Sequence, residues 1–203
     1  MGVTFSFFQN CSLSPKGVSD WIGQSKKVFK KKEIQHLEQI ISDINLMIGS
    51  STENIYPRIL NKLVMLTESE YGMVGRVTYD DDGIPQVHVL AITNIAWDST
   101  SLKFYKDNFE DTQCLRSPSS VFTDAIVKNK PLILNQYNPD RNILPEGHPL
   151  IRRCIAVPFS FNSNHRPSII VCLCNRLTNY KKIHIKALTE IISIIGYLSV
   201  IIE

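Results

Sequence analysis

The alternation of apolar and polar positions divides this chain into helical and extended stretches. Between about Lys26 and Ile48, the apolar residues Ile34, Leu37, Ile41, Ile44 and Ile48 recur every three or four positions. That spacing draws one stripe along a helix, and Gly49-Ser50 stops it. Ser51-Thr52-Glu53 opens a second helix running to about Ser69, with Ile55, Ile59, Leu63 and Leu66 on one face. Pro57 falls in its first turns, where a missing backbone N–H costs least. At Tyr71 the period changes. Tyr71–Tyr79 predicts a strand, Asp80-Asp81-Asp82-Gly83 a turn, and Val87–Ile92 the returning strand of a β-hairpin. From 99 to 119 the pattern weakens to a short helix around Phe104 plus loop. Ser120 can cap a helix over Val121–Lys128, and Pro131–Leu134 predicts a short strand. A long loop from Asn135 to Arg153 follows. Strands Cys154–Phe161 and Ser168–Cys174 form a second hairpin, and the last helix runs from about Lys181 to the end.

This order implies an α+β fold, with a central, mainly antiparallel sheet flanked by helices. Three segments are expected: an irregular stretch over 1–24, an N-terminal helix over 25–50, and a domain over 51–203. The surplus apolar stripe of the first helix, matched by Ile191, Ile194, Ile195, Leu198 and Ile202 in the last, predicts that the terminal helices pack together and support a homodimer.

Composition narrows the function classes. With 43% hydrophobic and 20% charged residues, the chain has the balance of a folded soluble protein. A net charge of +3 is too mild for a nucleic-acid-binding face. The stretch Ile191–Ile202 is too short to span a bilayer and is interrupted by Ser193, Gly196 and Ser199. The 5 cysteines (Cys11, Cys114, Cys154, Cys172, Cys174) are odd in number and follow no zinc spacing. Cys172-Leu173-Cys174 puts two thiols on one face of a strand, which reads as packing on a buried face rather than metal or redox work. Free thiols fit a reducing, cytoplasmic compartment. A second signal lies at the N-terminus, where Met1-Gly2-Val3-Thr4-Phe5-Ser6 matches the N-myristoylation pattern at Gly2. The lysines from Lys26 to Lys32 could add the second attachment signal to a membrane surface, or simply solvate a helix start.

The densest chemistry sits in Leu144-Pro145-Glu146-Gly147-His148-Pro149. Such a run cannot continue a helix or a central strand. It is a shaped loop leading into an apolar strand. Two readings stand: a wall of a small-molecule site, or a tight turn in which His148 caps a carbonyl. Together with Ser69-Glu70-Tyr71-Gly72, Asp82-Gly83-Ile84-Pro85, Ala91 through Trp97, Lys130 through Asn135, Asp140-Arg141, Val157-Pro158-Phe159, Asn175-Arg176 and Tyr180, this loop resembles the GAF domain family. The likeness runs from about Ser51 to the C-terminus and is nearest to GAF domains of bacterial sensor histidine kinases. Arg76, Asn142-Ile143 and Ile169–Cys172 depart from residues usual in that family, and the bulkier replacements imply a smaller or reshaped pocket.

The resemblance implies a pocket between the sheet and the 135–153 loop, near Thr93, Asn94, Trp97, Phe122, Asn135, Asp140, Glu146 and His148. Trp97 offers a flat apolar wall with a polar edge. Asn94 and Asn135 can donate and accept, which suits a small polar ligand. Each of these residues also has a structural role open to it: core packing for Trp97 and Phe122, loop hydrogen bonds for the asparagines and Asp140. The cyclic-nucleotide signature of the family is absent. The neighbours of Cys114 do not match those of bilin-binding members. Cys114 also lacks an evident resolving partner for free methionine sulfoxide reduction. Glu146 and His148 could in principle hold a metal or act as acid and base, but no third ligand or nucleophile accompanies them to support either role. The expectation is a sensor or regulatory module without catalytic or metal-binding residues. It would bind a small molecule or a partner protein, with the cofactor undetermined, and signal through its terminal helices. A protein-interaction module with a degenerate pocket is the alternative, and a GAF-type methionine sulfoxide reductase comes third.

Overall fold

The computed structural model describes residues 55–93, 120–137, 148–160 and 166–201, with scattered positions between 35 and 43 and between 99 and 106, and the pair 114–115. The chain divides into two compact units, Met1–Ser50 and Ser51–Glu203. In the first unit Gln35, Glu38, Gln39, Ser42 and Asp43 are helical, and Gln39 Nε2 donates to Asp43 Oδ1 one turn later at 2.9 Å. The rest of the predicted N-terminal helix, and Gly2, lie outside the described residues.

In the second unit, α1 (Ile55–Thr67) precedes β1 (Tyr71–Tyr79) and β2 (Pro85–Ile92). The short β3 (Cys114–Leu115) is followed by α2 (Val121–Lys128), β4 (Leu132–Leu134), β5 (Cys154–Phe159), β6 (Ile169–Cys174) and α3 (Lys182–Ile201). The strands form one sheet in the order β3-β2-β1-β6-β5-β4. Each neighbouring pair is antiparallel. The α+β class and both hairpins follow the sequence pattern. β3 does not: it stands where a loop was expected, because two residues of pairing with Val87 and His88 leave no periodicity to read.

Local chemistry explains the boundaries. α1 buries Ile55, Ile59, Leu60, Leu63 and Leu66 and leaves Met65 in solvent. It ends where Glu68 turns left-handed, with φ 52°. The β1–β2 turn closes on Asp80, whose Oδ1 accepts from Ile84 N at 2.8 Å, and on Gly83 at φ 76°. Ser120 caps α2 by accepting from Thr123 N at 3.1 Å. Pro158 sits inside β5 at no cost to the ladder. The bond from Asn175 N to Arg153 O makes Cys154/Cys174, and hence Pro158/Ile170 further along, non-hydrogen-bonded pairs of β5 with β6. The missing N–H of Pro158 therefore faces the β4 side, where pairing has already ended at Ala156.

The sheet is covered on both faces. α1 packs on β1 and β2, and α3 on β5 and β6. Between α2 and the sheet lies a core of Met73, Val77, Val87, Val89, Ala125, Ile126, Ala156, Ile170 and Cys172. β1 and β6 run through the middle; β1 is buried from Tyr71 to Gly75 and at Val77, and β6 from Ile169 to Leu173, as two-sided strands must be.

Candidate functional site

Beyond the end of that α2 core a cavity of about 150 Å³ remains open in the described structure. The centre of the sheet gives it a floor of Tyr71, Gly72, Met73, Cys154, Cys172 and Cys174. Ile92 and Thr93, at the end of β2, and Leu115 of β3 form one side. Ser120, Val121 and Phe122, at the start of α2, form the roof. Tyr137, and His148, Pro149 and Ile151, at the two described ends of the long loop, flank the remaining side.

Of the residues expected at a pocket, Thr93, Phe122 and His148 line this cavity. Asn135 does not. Its amide bonds the backbone of Tyr180 on both sides: Nδ2 donates to Tyr180 O at 3.0 Å and Oδ1 accepts from Tyr180 N at 2.7 Å. This two-point clamp joins the end of β4 to the approach of α3. Asn94, Trp97, Asp140 and Glu146 lie outside the described residues.

Polar groups on the wall serve the frame. Thr93 Oγ1 accepts from Gly72 N at 3.1 Å, while Thr93 N donates to Gly72 O at 3.0 Å. This exchange extends the β1–β2 ladder past its end. The Tyr71 hydroxyl donates to Leu150 O at 2.6 Å and accepts from Asn175 Nδ2 at 2.6 Å. His148 Nδ1 lies 2.8 Å from Pro149 O, so that nitrogen carries the proton. Burial holds the imidazole below its ordinary range, although the bond to Pro149 opposes this, and it is neutral at pH 7. His148 thus both caps a carbonyl and lines the cavity.

Three thiols are among the wall residues that the sequence did not assign to a pocket. Cys172 and Cys174 share a face, as their spacing requires. Cys154 joins them because β5 pairs with β6 in the register Cys154–Cys174, which no local pattern reveals. Such a non-hydrogen-bonded pair brings side chains close together. A hydrogen bond with Cys154, then burial, pushes the Cys174 thiol well up; burial does the same for Cys172. Burial also raises the phenols of Tyr71 and Tyr137. The thiols of Cys172 and Cys174 are therefore protonated and these two phenols un-ionised at neutral pH.

Beside the cavity stands a hydrogen-bonded hub. Asn175, buried and left-handed at φ 58°, accepts from Arg152 N at 2.7 Å through Oδ1. Its Nδ2 reaches the Tyr71 hydroxyl, Leu150 O at 2.8 Å and Glu70 Oε2 at 2.9 Å. A second chain runs from Thr67, whose hydroxyl donates to Leu63 O at 2.8 Å. Thr67 must then accept from Ser69, and Ser69 from the Tyr180 hydroxyl, each at 2.7 Å. The Tyr180 ring meets His184 of α3 edge-on, with centroids 5.9 Å apart. Asn175-Arg176 and Tyr180 stood out in the sequence only as part of a family likeness, without a role.

Among the described residues, no group of three or more His, Cys, Asp or Glu side chains is placed to hold a metal ion. Nor is any helix among them long and apolar enough to cross a membrane.

A family model described as GAF domain matches residues 49–198. Among solved structures, the GAF domain of an Acinetobacter phosphoenolpyruvate-protein phosphotransferase is 10% identical, with a TM-score of 0.57, covering 80% of this chain and 89% of that one. The free methionine-R-sulfoxide reductase of Neisseria meningitidis, solved with its substrate, is 11% identical with a TM-score of 0.54, over 80% of this chain and 87% of that one. A GAF domain from a Pseudomonas syringae pv. tomato protein assigned as a sensor histidine kinase is 12% identical with a TM-score of 0.50, over 89% and 93%. At such identities the likeness is one of fold. No curated protein matches.

Proposed function

Because the chain belongs to the GAF domain family, whose members are in general sensory and regulatory ligand-binding modules, we propose that it binds a small ligand in this cavity and passes the bound state to its terminal helices. One observation carries the reading: the cavity wall and the base of α3 share one hydrogen-bonded frame. Tyr71 on the wall is bonded to Asn175, which fixes the chain at the end of β6. From there Arg176 N donates to the Tyr180 hydroxyl at 3.4 Å, and Tyr180 abuts α3 through His184. Tyr137, also on the wall, donates its backbone N–H to Arg152 O at 3.1 Å and so enters the same frame. A ligand that shifts either tyrosine shifts the support of α3.

The reading is non-enzymatic. The thiols of Cys172 and Cys174, which the cavity offers as nucleophiles, are held in the unreactive protonated form. Homodimerisation through the terminal helices belongs to the same proposal and is supported by the apolar stripes from Ile34 to Ile48 and Ile194 to Ile202; Ile191, counted with the second stripe in the sequence, is instead buried within the domain.

Native mass spectrometry of freshly purified protein, followed by hydrogen exchange of α3 before and after ligand removal, tests this reading. A retained small molecule and faster exchange in residues 182–192 on its removal are expected. The absence of any retained or added small molecule that alters α3 would favour docking of a partner protein on the fold instead.

A further inference from the structure

None of the described residues lining the cavity is Asp, Glu, Lys or Arg. The hydroxyls of Thr93, Ser120 and Tyr71 are engaged within the protein, and His148 Nδ1 is engaged with Pro149 O. Apart from the phenol of Tyr137, the rest of the described lining is apolar and rich in polarisable sulfur, with Met73, Phe122, Cys154, Cys172 and Cys174 prominent in it.

We propose that this cavity takes a small, neutral, largely apolar molecule about the size of a single ring, and discriminates against ions of the same shape. The proposal rests on the ligand-binding reading above and names the ligand's class. Three physical points support it. An ion entering this space would lose its hydration with no opposite charge on the described wall to replace it. A cavity of about 150 Å³ with largely apolar described walls is the right size for one aromatic ring. Phe122 and the sulfurs of Met73 and Cys172 then offer aromatic and sulfur–aromatic contacts on opposite sides, from α2 and from the sheet. The raised thiols and phenols and the neutral imidazole are what such an environment does to titratable groups. The small polar ligand expected from Asn94 and Asn135 loses half its support once Asn135 is clamped to Tyr180.

The test compares toluene with benzoate and benzylammonium on the wild-type chain, by thermal shift and by amide NMR titration. It is repeated on two variants that fill the cavity from opposite sides, Cys172→Leu and Phe122→Trp. The expected result is saturable toluene binding, at least about tenfold tighter than either ion. Each filled variant that folds should weaken it by a similar factor. Should benzoate or benzylammonium bind as tightly as toluene and be blocked by filling, the class proposed here is wrong while the ligand site stands. Should no probe bind, or should toluene binding ignore both fillings, the cavity is not the ligand site and both readings fall. If neither variant folds, the wild-type comparison of neutral and charged probes decides.

Discussion

The cavity and the Asn175 hub are adjacent and share Tyr71, yet their chemistry is opposite. The hub packs a buried amide, a phenol, a carboxylate and backbone groups into a dense set of short hydrogen bonds. At the cavity the hydroxyls of Thr93, Ser120 and Tyr71 bond within the protein, and much of the rest of the described lining is apolar and sulfur surface. The contrast teaches where this fold places its polarity. Buried polar side chains hold the frame, and the space left for a ligand is defined by what they exclude. The same amide chemistry that a sequence reading assigns to ligand recognition is used, in Asn135 and Asn175, to lock backbone.

The largest effect should come from breaking the hub. Asn175→Ala removes the amide that holds Arg152 N, Leu150 O and Tyr71 and also leaves a left-handed residue without its preferred side chain. A loss of about 3 kcal/mol in chemical denaturation is expected. Asn175→Gly, which keeps the backbone freedom and loses only the amide, should recover part of that loss. Equal losses in the two variants would mean that backbone conformation contributes nothing to the role of Asn175.

Next comes the floor of the cavity. Gly72 faces α1 with no room to spare: an added Cβ would land on Leu173 and 2.8 Å from Cys172 O. Gly72→Ala should cost about 2 kcal/mol by overpacking. Cys172→Ala should cost only about 1 kcal/mol, because it enlarges a space that already exists. A Cys172→Ala loss as large as that of Asn175→Ala would erase the distinction between frame and cavity. In alkylation followed by peptide mapping, Cys172 and Cys174 should react only as fast as the domain opens, and more slowly still with toluene bound.

The smallest effect is a pH dependence. His148 is held below its unfolded value by burial. The folded state therefore binds fewer protons than the unfolded state over a window that begins near pH 6.5, the ordinary histidine value. Stability from this residue is complete above that pH, is lost as pH falls through the unfolded value, and stops changing below the lowered folded value. The drop in Tm between pH 7 and pH 5 should shrink in His148→Gln. An unchanged pH profile would show that the imidazole is not desolvated at the cavity wall.

Most of the fold was legible, since long periodic stretches such as α1, β1 and α2 carry their own signals: a stripe, a run, a cap at Ser120. β3 was not, because two paired residues have no period. The site was legible in part. Thr93, Phe122 and His148 were placed near a pocket by the family likeness, and all three line the cavity. Cys154 was not so placed, because only the β5–β6 register brings it opposite Cys174. Asn135 was assigned to a ligand because a sequence shows an amide's capacity to bond but not the backbone of Tyr180, 45 residues away, that fills it.

Xenon under pressure tests the central claim most directly, since the gas reports only dry apolar space large enough to hold it. In a crystal exposed to it, we predict a single strong xenon site between Phe122, Met73 and Cys172. Ordered waters bonded to Thr93, Tyr71 or His148 in that space, with no xenon, would contradict an apolar ligand cavity built on a polar frame.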